Sequence, residues 1–179
     1  AETGGLALAR ARLDESLAIS RQCNDFAGMA QALQVMEVGR PFVEAQRLAA
    51  ESLACARTTG QPDLIASRLN QFGWHTWCLG DYATADACWR EGITLGEQLG
   101  LRGENAWPLD CMGLAAWFQG DMETAERNIG EALAIYSEGG APVRHWHVQS
   151  RTGDGAGEYA SLPRGDCDGT RGSRHYAWG

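Results

Sequence analysis

The sequence predicts an all-α fold built of repeated helix–turn–helix units. Two observations predict it: a short motif recurs at a spacing of 40 residues, and apolar residues recur at i, i+3, i+4 and i+7 between its copies. No segment shows the apolar–polar alternation of a half-buried strand. Hydrophobic residues make up 44% of the 179, an ordinary share for a chain that buries a real core.

The repeated motif is a turn followed by the start of a helix. Its two best copies, 79–85 (LGDYATA) and 119–125 (QGDMETA), align without a gap, and looser copies stand at 38–45 and 4–9. The register places an alanine after each turn and an apolar side chain eight residues later: Ala9, Ala45, Ala85 and Ala125, then Leu17, Leu53, Ile93 and Leu133. Both series are spaced 36, 40 and 40, so four related units are present in part or whole.

Each position of the motif has a physical role. The glycine is expected to end the first helix of a unit, helix A, where a left-handed residue is favoured. Asp81 and Asp121 are then expected to cap the second helix, helix B, and to complement its dipole. Small residues are predicted where two helices cross closely, at Gly73, Ala85, Ala125 and Ala132. Gly92 stands where alanine is usual, which either permits closer packing or marks a weaker third unit.

Seven helices follow from this register. They are predicted at about 6–22, 25–38, 42–58, 62–79, 83–99, 104–119 and 122–137. Pro62 and Pro108 fall near helix starts, where the missing amide does no harm. In order, the helices read B, A, B, A, B, A, B, so the first unit contributes only its second helix.

These residues resemble the tetratricopeptide (TPR) consensus. The matching positions are Leu69, Phe72, Gly73, Gly80, Asp81, Tyr82, Ala85 and Trp89, and again Leu109, Gly113, Gly120, Asp121, Ala125, Ala132 and Leu133. The 40-residue period exceeds the usual 34 and is similar to the repeat arrays of bacterial transcription regulators of the MalT and AfsR type. The resemblance covers about 4–137 and implies a TPR-like α-solenoid of about three and a half units. Those regulators also carry nucleotide-binding and DNA-binding domains, of which this chain shows no motif.

The resemblance implies that the A helices line a concave groove. By repeat register, the partner-binding residues are expected to be Phe26, Met29, Asn70, Trp74, Trp77, Trp107, Asp110 and Trp117. Aromatic side chains are enriched at binding hot spots, which favours this reading. The alternative is that several of these rings pack between helices as core. TPR domains that grip a C-terminal carboxylate often carry asparagine here, backed by Lys or Arg, but Asp110 has the wrong charge and the chain has no Lys.

Catalysis, cofactors and metals are not expected. His75 and Cys78 share a helix face without the third group that a cysteine nucleophile needs, and His145 and His147 lack further ligands. No GxGxxG, GxxxxGK[ST], GxSxG or HExxH is present. The six cysteines form no CxxC pair, which favours reduced thiols over a disulfide framework.

Charge and hydropathy restrict the classes of partner and the location that we expect. The net charge of −8 and the pI of about 4.9 argue against direct nucleic-acid binding. No run of 18 apolar residues is present, so no membrane segment is expected, and the first residues do not read as a signal peptide. With the reduced cysteines, this predicts a cytoplasmic protein. The missing initiator Met indicates a fragment of a longer chain or a processed one.

The repeat pattern fails after 138. We therefore divide the chain into a repeat domain, 1–138, and an irregular or disordered tail, 139–179, which includes the possible start of a broken fifth repeat at 144–149. Disorder is predicted for 152–179, since its Gly, Arg and Asp cannot bury enough apolar surface. A frameshifted end is one hypothesis, and translating the other frames of the parent DNA without finding a fifth repeat would refute it. An array without a capping helix also invites self-association through its last repeat.

The function expected from these features is a non-catalytic scaffold for a protein or peptide, as the repeat segment of a larger cytoplasmic signalling or transcriptional regulator. The alternative is a sensor domain whose tryptophan-lined groove binds a sugar or another metabolite as effector. The two differ in the surface that they need. A peptide engages several repeats, whereas a small ligand needs one enclosed pocket, here centred on Trp74, Trp77 and Trp117.

Overall fold

The computed structural model describes residues 4–138, which form seven α-helices and no strand. The helices are α1 (Gly4–Cys23), α2 (Phe26–Met36), α3 (Phe42–Thr59), α4 (Pro62–Cys78), α5 (Tyr82–Gln98), α6 (Ala106–Phe118) and α7 (Met122–Glu138). A 3₁₀ helix, Arg102–Asn105, precedes α6. The all-α prediction is confirmed, and each predicted helix overlaps an observed one. The predictions for 139–179 lie outside the described residues.

The turns form as their sequence predicts. Gly39, Gly80 and Gly120 end the A helices with positive φ of 72°, 91° and 82°, a conformation that costs glycine little. The carboxylates of Asp81 and Asp121 accept the amides three residues on, at 3.1 Å in both cases, and so cap α5 and α7. Each A helix therefore reverses into its B helix within three to five residues.

The unequal spacing of the repeats has a structural cause in the A helices. α2 has 11 residues where α4 has 17, and the longer turn after α2 recovers only part of the difference. α6 has 13 residues, but the four-residue 3₁₀ helix and its flanking residues restore the length of that unit. The first spacing is therefore 36 and the later two are 40.

Each helix packs mainly against its neighbours in the chain. The pairs α2–α3, α4–α5 and α6–α7 are the most extensive interfaces, and consecutive A helices also touch, α2 with α4 and α4 with α6. α5 and α6 touch less than other neighbours because the 3₁₀ helix lies between them and packs on both. The core is thus a series of interhelical clusters along the array. No helix of the described part is both long and apolar enough to cross a bilayer.

Small and large side chains alternate across the A–B interfaces. A Cβ at Gly73 would lie 2.7 Å from Nε1 of Trp89, whose indole N–H donates to the carbonyl oxygen of Asn70 at 3.2 Å. A Cβ at Gly113 would lie 2.5 Å from Cγ1 of Ile129. The close-packing prediction for Gly73 is confirmed, since the glycine makes room for a buried ring.

Gly92 fits the same rule. A Cβ at Gly92 would meet the side-chain oxygen of Asn70, so this glycine permits closer packing. The register-equivalent pairs along the array are Ala30 with Ser52, Asn70 with Gly92, and Asp110 with Ala132. All six residues are buried. Among these pairs, the largest A-helix residue, Asn70, stands opposite the smallest B-helix residue, Gly92. This combination keeps the two helices at packing distance.

Candidate binding surface

A row of aromatic rings crosses the A helices α4 and α6. Trp74 and Trp77 stack with ring centroids 5.5 Å apart, and Trp74 also lies 6.4 Å from Trp107. Trp77 lies 5.5 Å from Phe118, which meets Trp117 edge-on at 5.0 Å. We call Trp107, Trp74, Trp77, Phe118 and Trp117 the aromatic row. Tyr82, the first residue of α5, lies beside it, 6.4 Å from Trp77.

The rings of the row are divided between core and surface. Trp74, Trp77 and Trp107 pack against a buried cluster formed by Ala85, Trp89, Cys111 and Ala115. All four tryptophans of the row remain partly accessible, and Phe118 and Tyr82 are 37% and 55% exposed. The core and surface readings therefore both apply in part to Trp74, Trp77 and Trp107, which pack on this cluster and stay partly accessible.

Helical spacing and repeat register bring the row together. Trp74 and Trp77 are three residues apart and share one side of α4. Trp77 and Trp117 are equivalent positions, 40 residues apart, and the contact between α4 and α6 places the two helices side by side. Repeat register did not predict that Tyr82 lies beside the row, because its position in the turn motif accounts for a tyrosine there without a role on the binding surface.

Three of the predicted site residues are buried. Met29 and Asn70 are 8% and 7% exposed, and Asp110 is 0% exposed, so the prediction that placed them on an accessible groove does not match their burial. Asn70 packs against Gly92, as described above. Burial, and to a lesser degree the Asp110 carboxylate, raises the pKa of Tyr136 and of Cys111. At Asn70, the absence of a side chain on Gly92 leaves room for the carboxamide between the helices.

Phe26 lies at the start of α2 and is 37% exposed. The ring contacts described above join residues of α4, α5 and α6 and do not extend to it. Of the predicted partner-binding residues, the structure therefore brings together four, Trp74, Trp77, Trp107 and Trp117.

The charge near the row is negative. In the described chain, α2 carries no Asp, Glu, Arg or His, and Arg68 on α4 is the single arginine of the three A helices. Arg68 is buried at 6% exposure. Asp81 and Asp121 follow the ends of α4 and α6, and hydrogen bonds from Thr84 and Thr124 hold the pKa of each carboxyl below its usual range. Both carboxylates are therefore charged at neutral pH.

A buried polar cluster lies between α2 and α4, and the sequence reading missed it. Oε2 of Glu37 is 3.6 Å from Nε2 of His75, which is also 3.3 Å from the side-chain nitrogen of Gln71. Burial lowers the pKa of Arg68, and the nearby Glu37 carboxylate opposes that shift. The available signal was the spacing of Arg68, Gln71 and His75 at i, i+3 and i+7 on one helix face.

The geometry around His75 and Cys78 does not resemble a nucleophile and its base. Nε2 of His75 faces Glu37 and Gln71, and burial raises the pKa of the Cys78 thiol to about 12. A thiol with such a pKa is almost wholly protonated at neutral pH and is a poor nucleophile. Across residues 4–138, no three His, Cys, Asp or Glu side chains come together as a potential metal site. His145 and His147 lie outside the described residues.

A cleft of about 410 Å³ lies elsewhere, between α5, the 3₁₀ helix, α6 and α7. Its lining residues are Ile93, Glu97, Gly100, Arg102, Asn105, Leu109, Glu131 and Ile135. It contains no aromatic residue, so it is separate from the aromatic row.

A scan against protein-family models finds no family that matches this chain, and a search of curated proteins finds no significant match. The resemblance to the tetratricopeptide consensus accordingly rests on the chain's own repeat. Its strongest features are the paired Gly-Asp turns at 80–81 and 120–121. Function has to be argued from the surface that these repeats present.

Proposed function

We propose that this chain is a TPR-like α-solenoid that serves as a non-catalytic scaffold for a protein or peptide partner. In this proposal it is the repeat segment of a larger cytoplasmic regulator of signalling or transcription. The observation that carries the proposal is the aromatic row, a set of neighbouring rings that spans two repeat units and stays partly accessible.

The packing supports the solenoid. Extensive contacts join helices that are adjacent in the chain, and the longer-range ones join consecutive A helices. Such nearest-neighbour packing is the hallmark of repeat arrays. The same turn geometry and the same aspartate cap occur at Gly80-Asp81 and Gly120-Asp121, so successive hairpins repeat one geometry.

The shape of the row supports an extended ligand. Neighbouring ring centroids lie 5.0 to 6.4 Å apart, and the two ends of the row, Trp107 and Trp117, stand ten residues apart on α6, about 15 Å along the helix, or about four to five residues of extended chain. Partly exposed Trp and Phe side chains offer a large apolar area at low cost in conformational entropy, as hot-spot residues do. A row of this kind suits the successive side chains of a peptide.

The alternative function, a sensor for a sugar or another metabolite, needs an enclosed pocket centred on Trp74, Trp77 and Trp117. The cleft of about 410 Å³ is lined by other residues, on α5, α6 and α7 and their connection. That cleft therefore does not supply the pocket that this alternative requires.

The test is selection of peptides from a random library against the full chain, followed by calorimetric titration of the best binder. Trp77→Ala removes the ring at the centre of the row, and Phe118→Ala removes a more exposed one that is less needed for folding. Each should weaken binding at least tenfold while leaving the helical circular dichroism unchanged. Phe42→Ala is the matched control, since Phe42 is 39% exposed at the start of α3, away from the row. Selected peptides that bind all variants equally would refute the proposal.

A further inference from the structure

The C-terminal ends of two helices meet one end of the aromatic row. Trp77 lies in the last turn of α4, and Trp117 and Phe118 lie in the last turn of α6. The helix macrodipole gives each of these ends a partial negative charge, and the N-terminal ends of α5 and α7, which begin after three intervening residues, carry the opposite partial charge, so the helix ends largely offset each other. Asp81 and Asp121 follow directly after the two ends and add full negative charges.

No exposed arginine balances this charge on the described A helices. Arg68, their single arginine, is 6% exposed. Exposed arginines stand on the B helices and on the 3₁₀ helix, for example Arg57, Arg90 and Arg102, and these three pair with acidic neighbours. The chain as a whole has a net charge of −8. The row therefore lies in a negative potential that favours a positively charged ligand.

Aromatic faces add a direct attraction for such a ligand. Trp is the strongest of the side chains in cation–π contacts, and an arginine guanidinium can also stack on its ring. Trp77 is partly exposed and is flanked by Phe118 and Tyr82, so three ring systems surround one point of the row.

From these observations we infer that the aromatic row binds a peptide segment carrying Arg or Lys, with a cationic side chain against Trp77 near Asp81 and Asp121. The inference rests on the proposed function and names the chemistry of its partner. The ligand group inferred here is a cation, whereas TPR domains that grip a C-terminal carboxylate bind an anion. For an anion the described A helices have no accessible arginine. Apolar residues flanking the cation cover the rest of the row.

The test compares three fluorescein-labelled peptides with the full chain by fluorescence anisotropy. The peptides share one backbone of Ser, Pro and Leu and differ only at two positions, which hold Arg, citrulline or Glu. Citrulline keeps the shape of arginine without its charge. The Arg peptide should bind at least tenfold more tightly than the citrulline peptide, the Glu peptide should bind most weakly, and added salt should reduce the advantage of Arg.

The double variant Asp81→Asn/Asp121→Asn tests the carboxylates, because Asn keeps a helix-capping side chain and removes the charge. It should lower the affinity for the Arg peptide at least threefold and leave the affinity for the citrulline peptide unchanged. Asp14→Asn, on an exposed position of α1, is the charge-matched control and should change neither.

The outcomes separate this inference from the proposed function. Equal binding of the Arg and citrulline peptides through the row, lost in Phe118→Ala, overturns the cationic partner and leaves the scaffold standing. If no peptide binds through the row, both fail. A dimer that forms in sedimentation experiments and is lost in Phe118→Ala would mean that a second copy of the chain occupies the row, which also overturns the inference.

Discussion

At the scale of single residues, Gly73 carries the tightest demand for a small side chain beside a buried ring. A Cβ there would lie 2.7 Å from Nε1 and 2.9 Å from Cδ1 of Trp89, which is 1% exposed and hydrogen-bonded to Asn70. Gly73→Ala should therefore destabilise the protein by about 1–2 kcal/mol, even though alanine is the better helix former. Urea unfolding followed by circular dichroism measures this cost.

Gly130 provides the control for that substitution. It is exposed in the middle of α7, and a Cβ there would have no atom within 4 Å. Gly130→Ala should stabilise the protein by about 0.5–1 kcal/mol through backbone entropy alone. Two alanine substitutions with the same sign would contradict the packing argument.

The cap at Asp81 makes a pH-dependent prediction. The hydrogen bonds from Thr84 lower the carboxyl pKa below its ordinary value of 3.8 in the folded state, so the folded state binds this proton less readily than the unfolded state. The resulting stabilisation is complete well above pH 3.8 and is lost as the pH falls through the lowered pKa. Wild type should exceed Asp81→Asn in urea midpoint at pH 7, and the gap should narrow as the pH falls below 3.8. A gap that persists undiminished at pH 3 would rule out the charge on Asp81 as its cause.

Single residues also differ in how well the sequence predicted their placement. Gly80 and Gly120 could be placed because a left-handed turn residue leaves a local signature. Asn70 and Asp110 could not, because repeat register fixes which side of a helix they occupy to within about one residue's rotation. Whether such a side chain turns outward or inward depends on the volume opposite it, here Gly92 and Ala132, which lie on another helix.

At the scale of helices, the pair Asn70 and Gly92 predicts a measurable coupling between α4 and α5. Gly92→Ala alone should cost about 1–2 kcal/mol, since its Cβ would meet the Asn70 carboxamide and come within 3.4 Å of the Ala66 carbonyl. In an Asn70→Ala background the same change should be nearly neutral. A double-mutant cycle by urea unfolding should yield a coupling energy of about 1–2 kcal/mol, whereas simple additivity would refute the contact.

The polar cluster between α2 and α4 makes a second prediction at this scale. Glu37 is 3% exposed, its Oε2 lies 3.6 Å from Nε2 of His75, and its charge favours the cationic form of the buried Arg68, so Glu37→Gln removes a buried negative charge with which both side chains interact. This substitution should cost about 2 kcal/mol in the free energy of unfolding. Glu44→Gln is the control, since Glu44 pairs with Arg40 at 3.1 Å nearer the surface and should cost about 0.5 kcal/mol or less. Comparable costs would show that burial of the cluster contributes nothing.

Helix positions were predictable because helical periodicity is local and strong in this chain. The sequence did not predict the 3₁₀ helix Arg102–Asn105, since the predicted helix 104–119 took its last two residues as the start of the following A helix. Nor did it predict the burial of Glu37, which depends on α4 covering the end of α2. The aromatic row lies between these cases: register placed its tryptophans on one face, and only the contact of α4 with α6 joined them into one surface.

At the scale of the whole molecule, the connections between repeats are unequal. Arg21 pairs with Glu51 at 2.7 Å and Arg57 pairs with Glu91 at 3.0 Å, which ties α1 to α3 and α3 to α5. The positions 40 residues beyond Arg57 and Glu91 are Glu97 and Glu131. Between α5 and α7, two carboxylates therefore stand at the positions that hold an ion pair between α3 and α5. Both of these carboxylates line the cleft. α5 and α6 also touch sparsely, so the array is weakest between α5 and the α6–α7 pair.

This weak junction predicts two cooperative units in native-state hydrogen exchange. In a repeat array, stability depends on neighbouring interfaces, so α6 and α7 should exchange together and faster than α3 to α5, with the boundary within residues 99–105. Glu97→Arg should recreate the pairing seen between Arg57 and Glu91 and slow exchange in α6 and α7 about twofold, as expected for an exposed ion pair. Glu97→Gln, which removes one carboxylate without supplying a cation, should give a smaller effect. Uniform exchange from α3 to α7, unchanged by Glu97→Arg, would mean that this junction transmits stability as well as the others, and that the inserted 3₁₀ helix compensates for the missing pair.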